Sequence, residues 1–269
     1  MTNKQGSIVC VGLGMVLGAH LAPLSRKFIE EADVVFMGVT NVLAEQWLQS
    51  MNENTISLQP FYQEGKDRRI SYQQMVDAML GEVRKDKKVV GAFYGHPGVF
   101  AWAPHKVIEK AKEEGFHGHM EPGISAEDCL YSDMGIDPGE YGISHYEASQ
   151  FIRHTRNIDQ AAYLILWQIG FVGDLALSSF QTEGHHRQLL MDVLLQSYPP
   201  EHRVAIYESA TLPTEKPSIK WIPLSQFSNV KVEHHSTMVI PPSETRQIDG
   251  VLQEKLQNLL RAKKLNKNG

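Results

Sequence analysis

The feature that most constrains this chain is a run of short strand-like segments, each ending in small residues and each followed by a helical pattern. Residues 7–12 and 33–37 read as buried strands. Between them Leu24, Phe28 and Ile29 fall at helical spacing, with Lys27, Glu30 and Glu31 on the opposite side. The alternation continues with a helix near 41–51, a short strand near 54–58, a helix over 71–86 and a strand at 88–93. A helix near 104–114, a strand at 116–120 and a helix from about 124 complete it. Alternating strands and helices imply an α/β fold with a largely parallel sheet covered on both faces. The turn-forming run at 135–140 is the best linker in the chain. Beyond it strands crowd closer, near 161–167, 203–208, 219–222 and 231–240, with helices near 185–197 and 244–261, as expected of a mixed, partly antiparallel sheet. The reading is therefore two α/β domains, 1–137 and 138–269, with a cleft between them where a small ligand is expected.

Composition narrows the function classes. A chain of 269 residues suits two ordinary domains, and its 42% apolar and 21% charged content is that of a globular protein. The net charge of −5 argues against a general nucleic-acid binder. The two cysteines, Cys10 and Cys129, fall in a strand pattern and a helical one, which suits a reducing cytoplasm better than a disulfide framework. Residues 8–24 lack charged side chains, but only Lys4 precedes them, and Gly12, Gly14, Gly18 and His20 interrupt them, so they read as a strand and turn. No membrane span is expected. The paired histidines at 117 and 119, 185 and 186, and 234 and 235 lack an accompanying cysteine or carboxylate cluster, so no metal is expected.

Two strand ends carry the chemistry. Tyr94-Gly95-His96-Pro97-Gly98-Val99-Phe100 follows one strand; Gly123-Ile124-Ser125-Ala126-Glu127-Asp128 follows the next. In open α/β sheets ligands bind just outside the carboxyl ends of the strands. Glycines there let the backbone approach a ligand, and Ser125 at a helix start offers a hydroxyl and free N–H groups. The turn Gly12-Leu13-Gly14 with Gly18 is close to a dinucleotide fingerprint. It lacks the third glycine at the right position and an acid at the end of the second strand, where Met37-Gly38 stands.

The two loops resemble those that hold S-adenosylmethionine in the tetrapyrrole methylase family, and are most similar to those of the borosin peptide-backbone N-methyltransferases. Gly18-Ala19-His20-Leu21 resembles the borosin version of the first turn, although Met15 and Val16 stand where the wider family has Pro and Asp. Tyr62, Arg68 and Tyr72, on a connection leading into a helix, match the spacing of the borosin catalytic residues. The resemblance implies a cofactor held by Tyr94, His96, Val99, Phe100, Ser125 and Ala126 and, from the second domain, by Gln168, Tyr207, Ser236 and Thr237.

A peptide nitrogen shares its lone pair with the carbonyl and is barely nucleophilic. Its methylation needs a base and a group that stabilises charge on the carbonyl oxygen. Tyr62 or Tyr72 suits the first role, and Arg68, whose charge favours a nearby phenolate, suits the second. The chain ends soon after its last helix, so the expected acceptor is a separate precursor peptide docked on a homodimer. A tetrapyrrole ring, a modified histidine or ribosomal RNA stays open as the acceptor. So does a noncatalytic role in binding a nucleoside or peptide, with the tyrosines and arginine serving recognition alone.

Overall fold

The computed structural model describes residues 6–63, 65–174 and 184–265. Strands β1 (Ser7–Gly12), β2 (Val34–Gly38), β3 (Thr55–Ser57), β4 (Lys88–Phe93) and β5 (His117–Met120) form an all-parallel sheet in the order β3-β2-β4-β1-β5. They alternate with α1 (Pro23–Glu30), α2 (Val42–Met51), α3 (Arg68–Val83), α4 (Trp102–Glu113) and α5 (Ala126–Met134). Successive strand residues point to opposite faces, so each strand feeds two cores. Ile8, Cys10, Phe36 and Val89 pack under Met75, Met79 and Leu80 of α3 and Val107 of α4. Val9, Val11, Val35 and Val90 pack under Ile29 of α1 and Leu48 of α2.

A second sheet, in the order β6-β7-β10-β8-β9, joins β6 (Ile143–Glu147), β7 (Tyr163–Trp167), β8 (Arg203–Glu208), β9 (Ser218–Pro223) and β10 (Thr237–Ile240). Only the β6–β7 pair in it is parallel. Helices α6 (Pro138–Tyr141), α7 (Ala148–Arg153), α8 (Gly184–Leu194) and α9 (Gly250–Leu265) accompany it. One face packs on α7 and α8 through Leu164, Leu166, Val204 and Ile206. The other, with Ile165, Trp167, Ala205, Tyr207 and Val239, is covered by Leu130 of α5, a helix that starts at the end of the first sheet.

The short elements α6, β6 and α7 were not expected from the sequence, and the bounds of others differ, three of them for clear local reasons. α3 begins at Arg68, because the Asp67 carboxylate caps it, accepting from the Arg69 N–H at 2.8 Å. The strand expected over 231–240 covers only 237–240, since 233–236 turns back with the Ser236 N–H on the Glu233 carbonyl at 3.0 Å. The last helix starts at 250, where Asp249 accepts from the Val251 and Leu252 N–H groups at 3.0 Å each. No helix among the described residues is long and apolar enough to cross a membrane.

The site is positioned by adjacent strands whose following helices lie on opposite faces. β1 leads to α1 on one side and β4 leads to α4 on the other. In open α/β sheets a ligand crevice is expected where the following helices diverge in this way. Across its floor Gly14 and Gly95 exchange backbone hydrogen bonds of 3.1 and 2.9 Å. A methyl group on Gly12 would stand 2.5 Å from the Gly95 carbonyl oxygen and 2.6 Å from the Gly123 Cα, so three strand ends touch backbone to backbone. Gly12→Ala and Gly123→Ala are expected to destabilise the protein by about 1–3 kcal/mol through overpacking. Gly81→Ala, inside α3 with open space around it, is expected to stabilise it by about 0.5–1 kcal/mol. Thermal denaturation of the three variants checks both signs.

Candidate active site at the carboxyl ends of the parallel strands

Large apolar side chains are left open around the crevice. Tyr94 is 57% exposed, Phe100 46%, Trp102 46%, Ile124 39% and Val99 37%. Tyr94 follows β4 directly and lies within the concavity despite its exposure. Burial raises its hydroxyl above the ordinary phenol range, and Tyr72 adds to the effect. The rest of its loop is fixed by histidines. The Gly98 N–H donates to His96 Nδ1 at 2.9 Å, which leaves the His96 proton on Nε2, and His105 Nε2 donates to the Gly98 carbonyl at 2.9 Å. Phe100 closes the loop in a left-handed conformation, φ 50°, and its ring lies 5.9 Å from Trp167 at the end of β7.

From the second sheet, Gln168 is also left-handed, φ 57°, so a non-glycine residue in a sparsely populated region flanks the Phe100–Trp167 contact on each side. Such residues cost about 1–3 kcal/mol each and cluster where ligands are held. At the start of α5 the expectation of free groups on Ser125 is corrected. Its N–H and hydroxyl both donate to the Asp128 carboxylate at 2.7 Å, and its hydroxyl oxygen accepts from the Asp128 N–H at 3.3 Å. This capping box spends Ser125 on the helix start. Ala126, partly buried at the first helical position, packs on the second sheet's core.

The other three residues expected to hold a cofactor present almost no side-chain surface. Tyr207 is 1% exposed and donates to the Asp133 carboxylate at 2.7 Å; burial and then that hydrogen bond push its hydroxyl far above the ordinary range. Ser236 is fully buried, donating to Glu208 and accepting from the Glu233 N–H at 2.8 Å. Thr237 is 2% exposed and pairs with Tyr207 across β10 and β8. Their side chains are spent on packing and hydrogen bonds within the fold. The reason is face: Tyr207 points with Ala205 toward α5.

The Tyr–Arg–Tyr set converges, and two of its members share a helix. Arg68 and Tyr72 lie one turn apart on α3, hence on one face, whereas Tyr62 caps the 3-10 turn Gln59–Phe61. The Tyr62 and Tyr72 rings meet edge to face at 6.1 Å, and their hydroxyls share a hydrogen bond. Tyr72 also lies near-parallel to Trp102 at 6.5 Å. Burial raises Tyr62 well above the ordinary phenol range, and Tyr72 and Tyr94 push the same way; the pull of Arg68 is outweighed. The guanidinium does pull Tyr62 toward the phenolate, as expected, but burial is the larger effect. Arg68 itself lies 4.0 Å from the centroid of Phe171, a residue of the second sheet's side.

Sequence reasoning missed Trp102, His105 and Phe171. Trp102 and His105 belong to the helix that directly follows the Tyr94–Phe100 loop, so their nearness was available as a signal. Nothing local marks Phe171. Among the described residues no group of three or more His, Cys, Asp or Glu is arranged to hold a metal ion.

The model of the family Tetrapyrrole (Corrin/Porphyrin) Methylases matches residues 7–221. A methyltransferase/ribosomally synthesized type I borosin cyclic peptide precursor of Coprinopsis marcescibilis is 39% identical over 245 residues, which is 89% of this chain and 63% of that protein. The methyltransferase/ribosomally synthesized cyclic peptide omphalotin A precursor of Omphalotus olearius is 36% identical over 244 residues, 89% of this chain and 58% of that protein. The chain thus spans about three-fifths of the length of these curated relatives. Among solved structures, the uroporphyrin-III-C-methyltransferase of Thermus thermophilus superposes with a TM-score of 0.62 at 15% identity, covering 88% of this chain and 94% of its own. A cobalt precorrin-4 methyltransferase gives 0.64 at 14% identity, covering 90% and 97%. At such low identity these two share the fold alone. With the family model matching most of its length, this chain belongs to the tetrapyrrole (corrin/porphyrin) methylase family.

Proposed function

We propose that this protein is an S-adenosylmethionine-dependent methyltransferase that N-methylates backbone amides of a precursor peptide. The observation that carries the reading is the meeting of Tyr62, Tyr72 and Arg68 beside Tyr94 at the mouth of the crevice. The relatives that cover most of the chain, named as methyltransferases joined to borosin or cyclic-peptide precursors, support it.

The crevice fits the cofactor. Tyr94, Val99 and Phe100 offer flat and apolar surface for an adenosine and a thioether. The glycine contact beneath them leaves backbone where a side chain would intrude. His96, Ala126 and Gln168 complete the wall, and Ser125, Tyr207, Ser236 and Thr237 hold it in place. When bound, S-adenosylmethionine supplies a methyl group on a sulfonium, which is its own leaving group.

The protein's part is to make a peptide nitrogen reactive. An amide proton is removed as negative charge moves onto the carbonyl oxygen. Arg68, at the first position of a long helix, adds its charge to the positive pole of α3 and faces that oxygen. Burial holds Tyr62 protonated, which leaves Tyr72 for the base: in its deprotonated form it takes the amide proton and becomes a neutral phenol. The acceptor must arrive extended, because a helix would hide its N–H groups.

The proposal includes a separate precursor chain as acceptor and a homodimeric enzyme working in the cytoplasm. Support for a partner surface comes from α9, where Leu252, Leu256 and Leu259 are 55%, 61% and 66% exposed along one stripe.

Calorimetry is expected to detect binding of S-adenosylmethionine and its demethylated product, with Tyr94→Ala weakening it by about 1–2 kcal/mol. No binding to the folded protein would remove the cofactor reading.

Tyr72→Phe and Arg68→Ala are expected to lower turnover by about 10²–10⁴ while leaving cofactor affinity near that of the parent. Near-parent rates in both variants would refute their roles.

Coexpression with candidate precursors, followed by fragmentation mass spectrometry, should place each added methyl on a backbone nitrogen of an apolar residue. Methyls confined to side chains, RNA or a tetrapyrrole would overturn the peptide reading and leave the fold standing.

A further inference from the structure

We propose that Phe171 is a positioning residue for Arg68, a ring supplied by the second sheet's side of the molecule that holds the guanidinium at the mouth of the crevice. This rests on the proposed function for its kinetic consequence, and on geometry for the contact itself.

Arg68 is an unfavourable choice for its place in α3. A cation at the first helical position opposes the positive end of the helix dipole, and the capping Asp67 carboxylate is itself paired with Arg69. The guanidinium instead lies 4.0 Å from the Phe171 ring centroid, within the range in which a ring face attracts a cation. On the same ring the imidazole of His234 lies 5.7 Å away, tilted by 39°. Arg68 also acts on His234 through its charge, one of several causes that lower the imidazole below its ordinary value, after burial and His235.

The platform is held unusually firmly. Phe171 ends a 3-10 turn, Ile169–Phe171, that opens at the left-handed Gln168. The Phe171 N–H donates to the Gln168 carbonyl at 2.9 Å, and its own carbonyl accepts from the Ser149 hydroxyl at 3.3 Å. The Ile169 N–H donates to the Ser236 carbonyl at 3.0 Å. A methyl group on Gly170 would stand 2.3 Å from the Glu233 carbonyl oxygen, so the turn is seated directly on the 233–236 backbone. Backbone strain at Gln168 and close packing at Gly170 thus have one joint result, a ring fixed under an arginine that the first sheet contributes. A preorganised charge stabilises a developing oxyanion better than one that must be gathered during the reaction.

The test combines a structural and a kinetic arm. In wild-type protein, NMR should find the Arg68 side-chain protons shifted upfield by the ring, and the shift should vanish in Phe171→Leu. With a precursor that the wild type methylates, Phe171→Leu should lower kcat about 5- to 30-fold with precursor KM and cofactor affinity near wild type, and Phe171→Tyr should restore most of the rate. In an Arg68→Ala background Phe171→Leu should cause no further loss, because its effect passes through the arginine. An unshifted Arg68 in wild type, equal slowing by leucine and tyrosine, or full additivity with Arg68→Ala would each overturn the proposal. If leucine prevents folding, the wild-type ring shift and the tyrosine variant decide. Failure of the wild type to methylate any peptide while the ring shift is present would refute the proposed function and leave the platform standing.

Discussion

Everything at the crevice depends on three strand ends that touch without side chains. At Gly12, Gly95 and Gly123 the backbone after β1, after β4 and after β5 is brought to contact, and no residue with a Cβ fits at Gly12 or Gly123. That contact fixes the start of each loop. The loop after β4 can then carry Tyr94 and Phe100 outward, and the segment after β5 can start α5 under the second sheet. Large side chains at these positions would prise the loops apart and fill the space a ligand needs.

The second sheet supplies what the first cannot. Phe100 finds Trp167, Arg68 finds Phe171, and the Leu17 N–H donates to the Thr211 carbonyl at 2.9 Å. Each of these contacts joins the parallel-sheet half of the chain to the mixed-sheet half. The two left-handed non-glycine residues of the site sit one on either side of this seam. Local backbone energy is spent where the halves meet a shared ligand space, as expected when geometry matters more than local comfort.

Much of this was legible in the sequence, for identifiable reasons. The parallel strands are buried on both faces, so they read as short continuous apolar runs, and the glycine turns punctuate them. Tyr62, Arg68 and Tyr72 were legible as a spacing, and Arg68 and Tyr72 prove to be one helical turn apart. What was not legible depended on direction or on distance along the chain. A strand buried on both faces does not declare which side meets a ligand, and Tyr207 turned out to face α5. Asp67 moved the start of α3 because a cap acts through one carboxylate that periodicity does not register. The effect of burial on Tyr62 outweighs that of the arginine, and burial is a property of the folded surroundings alone. Phe171 is far from Arg68 in sequence and has no motif of its own.

The path of α5 bears on how such a chain can be taken apart. By chain order this helix follows the parallel sheet, yet Leu130 is fully buried against Ile165, Trp167, Ala205, Tyr207 and Val239 of the other sheet. A cut at the turn after α5 would leave one fragment with Leu130, Ala126, Tyr131 and Met134 uncovered and the other with a bare hydrophobic sheet face. Chimeras that exchange halves between relatives therefore have a natural junction before Ser125, so that the helix travels with the sheet it covers. The capping box would then become part of the graft, while Gly123 and its backbone contact with Gly12 would stay with the first half.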